Sequence, residues 1–116
     1  MDSCVFCKII AGLSPARIEY MDSQLVAFHD IRPLAPVHML VVPRQHIESL
    51  NQISPQHEAL LGHMILVARQ LAQQAGIDQS GYRLVFNTGL DGGQTVFHLH
   101  LHVLGGARVT YPLRDL

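Results

Sequence analysis

Cysteine is scarce in this chain of 116 residues, with two copies; charged residues make up only 15%, and no apolar run reaches the length of a bilayer. Two cysteines cannot make the disulfide framework of a small secreted domain, and the opening Met1-Asp2-Ser3-Cys4 carries no basic leader region. A cytoplasmic protein with reduced thiols is the expectation. The missing run of about 20 apolar residues argues against a membrane-spanning helix. Eight Lys and Arg residues stand scattered against nine Asp and Glu, a net charge of −1, so neither nucleic acid nor a membrane surface is an expected partner. No repeat, low-complexity tract or charge block divides the chain, and 48% hydrophobic residues is ample for one core, so 1–116 is expected to be a single domain.

Cys4 to Ile10 sets Phe6, Ile9 and Ile10 on one side of a short helix that ends near Gly12 and Pro15. Arg17 to Tyr20 and Gln24 to His29 read as strands of a hairpin turning at Met21-Asp22-Ser23. His38 to Val42 is an apolar, β-branched run closed by Pro43, a well-buried strand. Ser54-Pro55 with Glu58 starts a long helix, along which Leu60, Leu61, Met64, Val67, Ala68, Leu71 and Ala75 recur at helical spacing until Gly76 caps it. Tyr82 to Asn87 alternates as a strand, and Asp91-Gly92-Gly93 turns into a last one ended by Gly105-Gly106. The fold class is α+β with one antiparallel sheet.

That last strand is Phe97-His98-Leu99-His100-Leu101-His102-Val103-Leu104. Alternation puts the three histidines on one face and Phe97, Leu99, Leu101 and Val103 on the other, with neighbouring imidazoles roughly 6.6 Å apart, close enough to serve one small anion. Neutral imidazole is also a common metal ligand, so a metal strip is the competing use of the row. The preceding Asn87-Thr88-Gly89-Leu90-Asp91-Gly92-Gly93-Gln94-Thr95 offers glycines that let backbone approach a ligand and N–H groups that can nest a phosphate. A neutral histidine whose remote nitrogen is held as a donor keeps a lone pair for phosphorus, and His100, flanked by His98 and His102, is the natural nucleophile. Phosphoryl or nucleotidyl transfer suits this pattern. By itself, Cys4-x-x-Cys7 is half of a zinc site or a redox dithiol. His29, His57 and His63 are expected to be solvated or locally satisfied.

The segment Gly93 to Leu104 resembles the signature of the histidine triad (HIT) superfamily. Cys4 to Ile10, Ala27 to Ile31, Pro36-Val37-His38, Val42 to Ile47 and His102 to Gly106 are similar to its Hint branch, the nucleoside phosphoramidate hydrolases, so the resemblance covers nearly the whole chain. It implies a HIT-like fold of about five antiparallel strands with one long and one short helix, and a two-fold homodimer joined through the long helix and the strand near Tyr82 to Phe86. It also implies that His100 attacks the α-phosphorus of a purine nucleoside 5′-phosphoramidate, of the adenosine 5′-monophosphoramidate type, and that the nucleotidyl-histidine is then hydrolysed. His102 would fix the His100 ring or bind a phosphate oxygen, His38 would approach from the neighbouring strand, and His98 completes the row.

In the same carry-over Asn87, Gly93, Gln94 and Thr95 hold phosphate and ribose, the contacts being the Gln94 and Thr95 backbone N–H groups and the Thr95 hydroxyl. Asp30 accepts from the ribose, and Phe6, Ile9, Phe28, Ile31 and Leu40 sandwich the purine. Zinc-containing members imply a structural Zn²⁺ on Cys4, Cys7, His46 and His98, the chemistry itself being metal-free. The tail Tyr111-Pro112-Leu113 would reach the partner's site. The alternatives are a hydrolase of dinucleoside polyphosphates or adenylyl conjugates, a metallohydrolase with its ion on the histidine row, and a nucleotide-binding scaffold with vestigial hydrolysis.

Overall fold

The sheet is built outward from β3, Val37–Pro43, whose residues from His38 to Pro43 are all buried. Such a strand needs cover on both faces, and its two neighbours share the property: β2, Leu25–His29, and β5, Leu101–Gly105, are apolar almost throughout. β1, Ile18–Met21, and β4, Tyr82–Val85, form the edges. The order is β1-β2-β3-β5-β4, with every neighbouring pair antiparallel. This is a computed structural model describing residues 3–109, so the segment Tyr111-Pro112-Leu113 lies outside the described residues.

Two helices supply the cover. The long one, α2, Glu58–Gln74, lays Met64, Val67, Ala68 and Leu71 on a face made by Leu25, Ala27, Met39, Val41, Leu101 and Val103. On the other face the short α1, Val5–Ile10, places Phe6 and Ile9 against Val26, Phe28, Leu40 and Val42. Alternate residues of one strand therefore feed two cores, each fully buried Leu or Val contributing about 1.5–3 kcal/mol. Among the described residues no helix is long and apolar enough to cross a membrane.

Three local features depart from or refine the sequence reading. A single 3-10 turn, Pro55–His57, precedes α2, and the Ser54 N–H donates to His57 Nδ1 at 2.9 Å, the contact a capping-box Glu or Gln would make. His63 Nε2 meets Asp22 Oδ2 at 2.6 Å. Asp22 also accepts from the Tyr20 hydroxyl at 2.6 Å and from the Gln24 and Leu25 N–H groups at 2.7 Å each, so one carboxylate stitches the first hairpin to α2. Burial alone would raise its pKa, but these donors outweigh it and hold the carboxyl well below the usual range.

The third feature is a correction. The histidine strand was expected from Phe97, but the ladder begins at Leu101. Val41 pairs with Leu101, so continuing the register would set Leu99 opposite Pro43, which has no N–H to give. The Leu99 N–H bonds Ile47 O at 2.6 Å instead, and the chain bends at residues 96–98, leaving Phe97 exposed rather than beside Leu99.

Candidate active site

Four imidazoles gather on the α1 side of the sheet, and none of them lies on an open polar face. His38, His98, His100 and His102 are 3%, 0%, 6% and 3% exposed, so the row is interior. His38 on β3 and His102 on β5 are diagonal neighbours in the ladder, which brings His38 Nε2 to 2.9 Å from His102 Nδ1. The rings of His100 and His102 lie 4.9 Å apart, and Phe6 of α1 stands edge-on to His100 at 5.1 Å.

The hydrogen bonds fix which nitrogen of each neutral ring carries the proton. A carbonyl can only accept, so His100 Nδ1 donates to His98 O at 2.7 Å, and Nε2 keeps its lone pair. The Leu34 N–H donates to His38 Nδ1 at 3.0 Å, so His38 carries its proton on Nε2 and passes it toward His102 Nδ1. His102 must then be protonated on Nε2, and that buried atom has no partner among the described residues. An orphaned donor beside an unprotonated imidazole nitrogen is a pair suited to an anionic, electrophilic group.

Burial keeps these rings neutral. It pushes His100 below its ordinary range despite the bond to the His98 carbonyl, and does the same to His38 against the pull of Asp30. Burial pushes His102 down to about 3, with His100 and His38 adding to the effect.

The ring of His98 belongs to a second constellation. Its Nε2–H donates to Pro43 O at 2.7 Å, which turns the Nδ1 lone pair toward Cys4 Sγ at 3.4 Å, Cys7 Sγ at 3.5 Å and His46 Nδ1 at 3.2 Å. Cys7 Sγ lies 3.3 Å from His46 Nδ1. Tetrahedral zinc with Zn–S near 2.3 Å and Zn–N near 2.0–2.1 Å would set S···N at about 3.6 Å and N···N at about 3.3 Å. The donor set and spacing fit a Cys2His2 zinc site. Asp30, His38 and His102 also cluster. There the fit fails, because His38 Nε2 holds a proton as long as Nδ1 accepts from Leu34, and a metal needs that lone pair.

Beside His100 and His102 opens a cavity of about 790 Å³. Of the expected nucleotide contacts it is lined by Phe6, Ile9, Phe28, Asp30, Ile31, Leu40 and Thr95; Phe6, Ile9, Phe28 and Leu40 serve core and cavity at once, whereas Ile31 is exposed at 94%. Asp30 gives Oδ1 to the Arg32 N–H and leaves Oδ2 3.4 Å from His38 Nε2. Asn87, Gly93 and Gln94 do not line it. The Gln94 N–H, expected to face phosphate, donates to Gly89 O at 3.0 Å, and its side chain bonds the Gly89 N–H, Glu48 O and Val96 O. Gly93 N–H donates to Leu90 O, and Asn87 Nδ2 to Gly92 O at 2.7 Å. These donors thus have partners in or beside the loop, while the buried Asn87 Oδ1 has none among the described residues.

Sequence reading passed over Val5, Pro15, Ala16, Arg17, His29 and Val96, all of which line the cavity. His29 is satisfied as expected, its Nε2 2.6 Å from Glu19 Oε1, yet its place next to Asp30 was a signal that it stands at the mouth. Leu34 and Pro43 act through backbone atoms, which no side-chain pattern advertises.

A family model described as "Scavenger mRNA decapping enzyme C-term binding" matches residues 3–110. The chain is 47% identical over 105 residues to the purine nucleoside phosphoramidase of Escherichia coli, an alignment covering 90% of this chain and 88% of that protein. Among solved structures, a HIT family hydrolase from Legionella pneumophila superposes with a TM-score of 0.92 at 45% identity, covering 96% of this chain and 99% of that one. A Zn-bound histidine triad family protein from Mycobacterium smegmatis superposes with a TM-score of 0.81 at 31% identity, covering 98% and 87%.

Proposed function

The chain belongs to the histidine triad family, and from that premise we propose that it hydrolyses the P–N bond of purine nucleoside 5′-phosphoramidates through a nucleotidyl intermediate on His100. One observation carries the reading: His100 Nδ1 is committed to a carbonyl, so Nε2 is an unprotonated nucleophile beside a cavity that pairs an apolar slot with a carboxylate. A purine enters between Phe6, Ile9, Phe28, Ile31 and Leu40, with the ribose hydroxyls toward Asp30. Nε2 bonds to the α-phosphorus and the P–N bond breaks, the amine leaving with a proton taken from solvent, which the water of the second step gives back. Water then attacks the same phosphorus, releasing the nucleoside monophosphate and restoring the imidazole. The His102 Nε2–H, oriented through His38 and Leu34, and the Thr95 hydroxyl donate to the phosphoryl oxygens as negative charge builds there. The roles of Asn87, Gly93 and Gln94 are to hold the loop that positions Thr95.

Zn²⁺ on Cys4, Cys7, His46 and His98 is part of the proposal, as a structural ion that ties α1 to the sheet. So are a homodimer built through α2 and β4, and a cytoplasmic setting that keeps the thiols reduced. The name of the E. coli relative supports the phosphoramidate substrate, and the triad chemistry supports the mechanism.

Purified protein should release amine from an adenosine 5′-phosphoramidate, and His100→Ala should lower kcat by at least about 10³-fold while nucleoside monophosphate still binds. Near wild-type turnover in that variant would rule His100 out as the nucleophile. The rival reading, hydrolysis of dinucleoside polyphosphates or adenylyl conjugates, predicts a kcat/KM for a diadenosine polyphosphate above that for the phosphoramidate.

A further inference from the structure

His98 is shared by two sites. Its ring faces the sulfurs of Cys4 and Cys7 at 3.4 and 3.5 Å, while its carbonyl oxygen holds the His100 Nδ1–H at 2.7 Å. Residues 96–100 lie outside the ladder, held by the Leu99 N–H on Ile47 O, by the Gln94 side chain on Val96 O and by the His98 ring, which bonds Pro43 O on one side and faces the sulfurs on the other. The direction of the His98 carbonyl, and with it the aim of His100 Nε2, therefore depends on what holds the His98 ring. Cys4 is also reachable, since it lines a cavity of about 410 Å³ with His46, Glu48 and Thr95.

Cys4 is the N-cap of α1, its Sγ accepting the Cys7 N–H at 3.4 Å. Cys4 stands just outside the helix, with extended backbone at φ −76° and ψ 116°, so its side chain can turn toward Cys7. An S–S bond of about 2.0 Å draws the sulfurs toward each other and off the histidine nitrogens.

We propose that Cys4 and Cys7 form an oxidation site controlling the nucleophile: joining the two sulfurs releases the bound metal, leaves the His98 ring held by Pro43 O alone and misaims His100. The oxidant is a peroxide. The sulfur of Cys4, on the open side, attacks the O–O bond and becomes a sulfenic acid, one oxygen leaving as water. The sulfur of Cys7 then displaces the hydroxyl as a second water, forming the S–S bond; the two electrons lost by the sulfurs reduce the two peroxide oxygens. A dithiol reverses the reaction.

This inference rests on His100 as the nucleophile, and the test separates the two. Zinc-reconstituted full-length protein is titrated with hydrogen peroxide while free thiols, zinc release to a chromogenic chelator, kcat and KM are followed well below the melting temperature. One zinc should appear for every two thiols lost, with kcat falling in step on the order of 10-fold or more, as misplacement of a reacting group does. The fall in kcat should exceed any rise in KM, although Phe6, which lies between the two cysteines, lines the nucleotide slot, and dithiothreitol with zinc should restore the rate. Cys4→Ser/Cys7→Ser should bind no zinc, start at the lowered kcat and ignore peroxide. An unchanged kcat after full oxidation, thiols that survive excess peroxide, or a protein that takes up no zinc would each overturn the oxidation switch. Turnover by His100→Ala would instead overturn the nucleophile assignment.

Discussion

A histidine that attacks phosphorus must be neutral, and burial secures this for His100 below the pH at which a free imidazole loses its proton. The acid limb of kcat/KM, which reports the free enzyme, should accordingly lie below pH 6.5, with a flat profile above it. A rate profile at constant ionic strength checks this, and a limb centred at or above 6.5 contradicts it. Stability follows the same sign. The unfolded chain takes protons on His102 near pH 6.5, the folded chain only near 3, so the unfolded state binds more protons across that window and stability is lost as pH falls through it. Thermal melts between pH 7 and pH 4 should show a steadily falling Tm. At this scale the sequence brought out the histidines but not their wiring. Three alternating histidines pointed to His100, yet the proton positions depend on Leu34 N–H, His98 O and Pro43 O, backbone atoms that every residue type carries alike. The orphaned His102 Nε2 emerges only when those bonds are counted.

At the scale of elements, the apolar pattern located the two α-helices and five strands of the described residues, because α2 buries a helical stripe and β3 is an unbroken apolar run. It failed where a backbone rule overrides side-chain pattern: alternation from Phe97 continues past the point at which Pro43 ends the ladder. The glycine loop is a second such case. A Cβ on Gly92 would sit 2.3 Å from Thr88 O, a backbone atom that cannot give way, and Gly93 holds φ at 82°. The loop is thus glycine-rich for its own closure, and Gly92→Ala should cost about 1–3 kcal/mol as overpacking does, with kcat/KM reduced because Thr95 follows directly. Urea melts and steady-state kinetics read the two effects; an unperturbed variant would mean that the loop opens freely. Asp22 makes the corresponding test for the hairpin. Asp22→Ala strands the Gln24 and Leu25 N–H groups and uncouples His63, and should lower stability by about 1–3 kcal/mol. It lies away from the cavity, so kcat should hold.

For the molecule as a whole, two of the surfaces left uncovered among the described residues bear on assembly. β4 pairs only with β5, leaving its outer edge open, and α2 turns Ile65 and Leu66, 48% and 61% exposed, away from the sheet it covers with Met64 and Val67. An open strand edge and a helix face with exposed apolar side chains are features that a two-fold axis can cover, each substitution then acting twice. Helical periodicity alone showed α2 to be apolar on more than its core face, whereas the open edge needed the strand order, because β4 precedes β5 in sequence yet lies outside it. Sedimentation equilibrium should give twice the 12.9 kDa chain mass, and Ile65→Glu/Leu66→Glu should give the single chain with an unchanged circular dichroism spectrum. A wild-type protein that sediments as one chain at micromolar concentration removes the dimer. The consequence reaches the site, since Val85 of β4 pairs with His102 on β5. With β4 left as a bare edge, His102 loses a rigid neighbour and its Nε2–H is aimed less well, so the monomeric variant should lose kcat more than it gains KM. Equal kcat in both states would mean that β5 is held by β3 and α2 alone.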